Sequence, residues 1–299
     1  MFLVIGSGGL VTAYGAGMAI ADWPTTFGRW FYLPPPGMWG HAGVLFNLVH
    51  RTLAPPAAVG AMALAAGLWR RDARRAVRHL GLAVLAAVIV SGALGVWRVL
   101  ADSVPAARLH AATAPLPLAL CVAVAAVTSP RWLAKDPARE HRRAKALRRW
   151  CLGTLGTASL FTLAGVQLRY VPPNAGLTWL PFWTWAAVLL ALAGAAAGAN
   201  FLLVAWRHFR DCPAIIRRSG GVVALLAAQL LAGACHWVTT YGWPPWFTDH
   251  ILPIPYTVVA EGPLQVMATA LYAVLGSLVP AVGLDTAMWS YRLVRHSRQ

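Results

Sequence analysis

Two histidines set in long apolar stretches are the residues best able to do chemistry. His50 lies 20 residues before Arg70, and His110 lies 21 before Arg131. A helix rises about 1.5 Å per residue, so both imidazoles stand roughly 30 Å from the arginines that close their helices. They are level with each other, near the far edge of an apolar layer. A single histidine in such a setting reads as a ring bonded to a carbonyl. Two at equal height on neighbouring helices read instead as axial ligands of a haem iron, each offering a ring nitrogen from one side of a flat macrocycle. Arg51 and Arg108 add positive charge at the same height. They suit either haem propionates or lipid phosphates, and the sequence leaves both open.

The elements that position these residues must be membrane spans. Of 299 residues, 59% are hydrophobic and 11% charged, and the mean hydropathy is +0.60, which excludes an ordinary water-soluble domain. Eight stretches reach the roughly 20 apolar residues that a bilayer core demands. They lie near 2–21, 42–69, 80–100, 107–128, 150–169, 180–206, 219–240 and 258–284. The first, with Ala19-Ile20-Ala21 at its end, lacks the basic leader of a signal peptide and reads as a retained span. Met1 opens directly into apolar sequence, so the start reads as slightly short.

A net charge of +16, from 25 Lys+Arg against 9 Asp+Glu, would point to nucleic acid in a soluble protein. Here its distribution points to a bilayer, with no nucleic-acid partner. The segment 70–78 holds five basic residues, 131–149 eight, 207–218 four and the tail from Arg292 three, twenty of the 25. All four segments fall on one side of the eight-span layout, which predicts an inner-membrane protein with both termini cytoplasmic. The opposite loops are aromatic and proline-rich, as in Trp30-Phe31-Tyr32-Leu33-Pro34-Pro35-Pro36 and Tyr241-Gly242-Trp243-Pro244-Pro245-Trp246-Phe247. Such sequences suit the headgroup level. Cys121, Cys151, Cys212 and Cys235 have no spacing of a disulfide framework or a metal cluster.

The expected fold is all-α and integral to the membrane, eight helices in two pseudo-repeated four-helix bundles. Residues 1–130 form the half with the haem site, 131–149 a basic cytoplasmic linker, and 150–299 a second half with a degenerate site. Ser91-Gly92-Ala93 is echoed by Ala232-Gly233-Ala234, and His110-Ala111-Ala112-Thr113-Ala114 faintly by Val266-Met267-Ala268-Thr269-Ala270. The second half has no matching ligand pair. Twenty residues before Arg207 stands Ala187, and the last span offers Gln265 and Glu261. His236 and His250 flank the loop between the last two spans, where they read as solvated side chains or as a loop metal site.

The first half resembles the haem A synthase family. The resemblance is carried by Gly9-Leu10-Val11-Thr12, Gly15-Ala16-Gly17-Met18, Asp22-Trp23-Pro24-Thr25-Thr26-Phe27-Gly28, His50-Arg51 and Leu109-His110-Ala111-Ala112. It implies a membrane enzyme that oxidises the C8 methyl of haem O to the formyl of haem A. It also implies one histidine pair per half, for substrate haem and for a haem b cofactor, with Trp23 counted beside His50, His110, Arg51 and Arg108 among the haem-binding residues. Haem O synthase or terminal-oxidase assembly proteins would be the partners, besides membrane lipid. The chain departs from the family in three places. The second histidine pair is missing, Asn47 stands where the family carries a glutamate, and Thr25 and Thr26 stand in a loop where many relatives have cysteines. An amide cannot accept a proton as a carboxylate does. Two readings follow: a divergent haem A synthase in which Asp22 or Glu261 replaces that carboxylate, or a bis-histidine protein that carries electrons or delivers haem unmodified. A haem-free transporter-like bundle finds no broken-helix pattern beyond Pro55-Pro56.

Overall fold

A computed structural model describes residues 1–29, 35–134, 139–172, 174–252, 254 and 257–295. The Trp30–Pro34 part of the aromatic loop and the end of the basic tail lie outside the described residues. Eleven helices are found among those described: α1 (Phe2–Ala13), α2 (Ala42–Arg71), α3 (Arg75–Leu100), α4 (Val104–Thr113), α5 (Pro115–Thr128), α6 (Pro130–Leu133), α7 (Ala144–Arg169), α8 (Trp179–His208), α9 (Pro213–Tyr241), α10 (Pro245–His250) and α11 (Pro263–Leu293). Two-residue strands, Arg139–Glu140 and Val294–Arg295, pair in parallel.

Seven spans are long and apolar enough to cross a membrane, with α4 and α5 together forming one of them, Val104–Thr128. Their outward faces carry large apolar side chains such as Trp185, Leu189, Leu192 and Leu231, which suits lipid and not water. The first expected span is shorter than the sequence predicts. The α-helix stops at Ala13, and Gly15 turns left-handed (φ +61°) into a 3-10 turn at Ala16–Met18. Twelve residues at about 1.5 Å each give roughly 18 Å, well under the roughly 30 Å of a bilayer core.

The four basic segments meet at one end of the bundle. Arg74 Nη1 donates to Val127 O at 2.9 Å, Arg148 bonds Val294 O, Arg292 bonds Ala134 O, and the His141 ring lies against His208 and Phe209. Cations here satisfy carbonyls left open at helix C-termini. At the α2–α3 turn the Asp72 carboxylate takes three bonds from Arg74, which hold its pKa down at about 2.

Packing is uneven. The second half closes over a continuous core that includes Leu147, Cys151, Phe201, Ile215 and Val222 from α7, α8 and α9. In the first half the buried cluster of Ala61, Val84 and Val124 fills the level next to the basic end. Beyond it α1, α2, α3 and α4 stand apart around open space. Prolines mark that level: Pro55 and Pro56 withhold the N–H groups that would bond Arg51 O and Thr52 O, and Pro115 withholds the one for Ala111 O. Between the halves α11 packs on α1 and α5, and α4 packs on α7.

Candidate functional site

His50 and His110 face each other across that space. Their ring centroids are 6.3 Å apart, and their planes cross at 83°. Each ring is held by the same device. His50 Nδ1 lies 3.0 Å from Val4 O on α1, and Gly8, one turn further on, passes so close that an added Cβ would be 3.2 Å from Cε1. His110 Nδ1 lies 2.8 Å from Ser91 O on α3, and Gly95 is the glycine one turn on, again 3.2 Å from Cε1. Positions i and i+4 share a helix face, so one turn supplies both the acceptor and the room for the ring. Ser7 also reaches His50 Nδ1 at 3.1 Å while donating to Val4 O.

A backbone carbonyl only accepts, so each Nδ1 carries the proton and each Nε2 keeps its lone pair. Among the described residues no hydrogen bond engages either Nε2. This is the arrangement that orients an imidazole for a metal. The separation also fits haem: a metal–imidazole bond of about 2.0 Å plus about 1.1 Å from Nε2 to the ring centre, on both sides, gives about 6.2 Å. No group of three or more His, Cys, Asp or Glu that could hold a bare metal ion occurs among the described residues.

The space is a cavity of about 680 Å³, within the range of small-molecule and cofactor sites. Its walls come largely from α1 to α5, with many Ala, Gly and Val, and are completed by α7, α9 and α11. The expected residues divide. His50, His110, Arg51, Asn47 and Trp23 line it; Asp22, Arg108 and Glu261 do not. Arg108 is turned to other partners, donating from Nε to Tyr170 O at 2.7 Å and lying 4.9 Å over the Trp179 ring. Glu261 sits in the turn before α11 at φ +56°, with its N–H bonded to Gln265. Asn47 is buried, and its Nδ2 donates to Ala16 O at 2.7 Å.

Asp22 builds its own loop. It accepts from Thr25 Oγ1 at 2.5 Å and from the Phe27 and Gly28 amides at 2.9 Å each. Burial pushes this carboxyl up, but the Thr25 hydroxyl and the Gly28 and Phe27 amides outweigh it and hold it below the ordinary value. A depressed folded-state pKa contributes stability above the unfolded value, and that contribution disappears as pH falls through the folded one. Asp22→Asn should therefore melt below the parent at pH 7, with the difference vanishing in acid below about pH 4. A gap that persists there would rule out the carboxylate as its source.

The cavity also takes in charged and polar residues that the sequence reading left out of it. Arg98 and Arg169 line it near Arg51. His236 is the clearest correction: it lies within α9 and not in a solvated loop, lines the cavity, and places Nδ1 2.8 Å from Thr269 Oγ1. Its ring stacks on Tyr272 at 6.0 Å, and with Thr162 and Thr269 these two form part of the second half's wall of the cavity. His250 ends α10 in the exposed loop, as expected.

No known protein-family model, curated protein or solved structure matches this chain.

Proposed function

We propose that this chain is a membrane protein of haem A synthase-like layout that holds one haem between His50 and His110 in the non-cytoplasmic half of the bilayer. The observation that carries the reading is the ring pair: centroids 6.3 Å apart, both Nδ1 atoms on carbonyls, both Nε2 atoms free to bind. The reciprocal packing of α1 on α11 and of α4 on α7 is what two related four-helix halves would give. The clustered arginines support a reading in which that end, and both termini, face the cytoplasm.

Bound there, haem supplies a one-electron couple. The protein's part would be to hold the group between His50 and His110, keep it in an apolar slot, and fix each imidazole in one tautomer through Val4 O and Ser91 O. Electron carriage or haem holding fits this better than oxidation of a haem methyl. None of the residues in line to supply a carboxylate presents one to the cavity: Asn47 is an amide bonded to Ala16 O, Asp22 closes its own loop, and Glu261 lies off the cavity.

Extraction of the pigment from the purified protein, and its mass, test this. Haem b alone is the expected result. Haem O or a hydroxylated derivative would move the protein to the haem-modifying reading, and a preparation with no haem would remove both.

A further inference from the structure

We infer that the site recognises its macrocycle by acid side chains on one edge, received by Arg98 and Arg169 with Arg51 beside them, so that the ligand class is a tetrapyrrole dicarboxylate with its acids turned toward the outer mouth. The inference deepens the haem reading and takes the macrocycle from it. Three guanidinium groups line the cavity, whereas none of its described lining residues is Asp or Glu. Charge beside an apolar cavity is costly unless it is paired.

The three are not equivalent. Arg51 donates to Ile20 O at 2.6 Å and to Asp22 O at 2.7 Å, and Arg169 donates through Nη2 to Thr12 O. Those bonds tie the guanidinium groups to the end of α1 and to the loop that follows; the Asp22 carboxylate offsets part of the Arg51 charge, whereas no carboxylate among the described residues pairs with Arg169. The Arg98 side chain makes no hydrogen bond or ion pair among the described residues. Its guanidinium lies over the Tyr170 ring at 5.4 Å, in a slot that exists because residue 17 is glycine; a Cβ there would overlap it. A planar fork of unpartnered N–H donors, held between a ring and a glycine, is suited to a carboxylate.

Position fixes the orientation of the ligand. The Arg51 guanidinium bonds Ile20 O and Asp22 O in the loop after α1, and Arg98 is three residues beyond the Gly95 that touches His110, about one helical turn outward on the same face. Imidazoles therefore grip the centre of the ligand, while guanidinium groups meet its outward edge.

The test uses the full chain in neutral-lipid nanodiscs, titrated with metal-free protoporphyrin and with its dimethyl ester, with empty discs as the reference. Without iron the imidazoles form no axial bond, so the comparison reads the acids alone. The diacid should bind about tenfold to a hundredfold more tightly than the ester. Arg98→Gln combined with Arg169→Gln should bring the ratio to within about threefold, and Arg108→Gln should leave it unchanged. Equal binding of diacid and ester by the parent, no binding of either, or a ratio unmoved by the double variant would overturn the inference. If the acid preference holds but the iron porphyrin gives no six-coordinate low-spin spectrum, the axial pair fails and acid recognition stands.

Discussion

Replacing either His50 or His110 with alanine is expected to abolish the six-coordinate low-spin haem spectrum. Merely disturbing groups that orient a ligand costs tenfold to a hundredfold in metal affinity, and removing the ligand costs more, so haem retention should fall by at least about a hundredfold. The two variants should be alike because the sites are built alike: a carbonyl on Nδ1 and a glycine against Cε1, drawn from α1 in one case and α3 in the other. His236→Ala provides the contrast. That ring also lines the cavity, but its Nδ1 is bonded by Thr269 and its face by Tyr272, and among the described residues no second imidazole from the second half lines the cavity. The low-spin spectrum should survive its loss. Absorption and electron paramagnetic resonance spectra of the three variants decide the matter: a low-spin signal kept by His50→Ala would end the ligand assignment.

The first-half pair was legible because a helix is a ruler. Counting from the inner arginines placed His50 and His110 level with no knowledge of packing. The same count on the other helices finds what the sequence reading left outside the site. Twenty residues beyond Arg78 is Arg98, twenty beyond Arg149 is Arg169, twenty before Arg292 is Tyr272, and eighteen beyond Arg218 is His236. All four line the cavity. His236 was misread because it stands near the aromatic loop and has no partner of its own kind, so a search for a second histidine pair passed over it. Arg108 lies at the right height yet turns away, because depth fixes the position along an axis and leaves open the direction around it. The early end of α1 has a local cause in the left-handed Gly15, which composition alone does not distinguish from a glycine inside a span. How the two halves close on one cavity depends on contacts between distant helices, α11 with α1 and α4 with α7, for which no local pattern exists.

Asn47 gives the second large effect, and it separates a structural residue from a weakened catalytic one. Its amide donates to Ala16 O, the first carbonyl of the 3-10 turn whose Gly17 makes room for Arg98. Gly43, one turn earlier on α2, lets Ala16 come close: a Cβ added there would be 3.0 Å from that of Ala16. If Asn47 were a relic of a carboxylate that moved protons, Asp at this position should be well tolerated. The geometry predicts the reverse. Leucine removes one of the two donors to Ala16 O, which keeps its bond from the Ala19 N–H, at a cost of about 0.5–1.5 kcal/mol. A carboxylate instead aims a second acceptor at that carbonyl in a site only 5% exposed, at a cost of about 3–5 kcal/mol. Unfolding of the purified protein by heat or denaturing detergent should therefore rank the parent first, Asn47→Leu second and Asn47→Asp last. The acidic variant should also lose the porphyrin diacid preference, because the turn that seats Arg98 is no longer held. A stable Asn47→Asp protein, above all one that begins to yield an oxidised haem, would show that the position accepts a carboxylate and would return the chain to the haem-modifying reading.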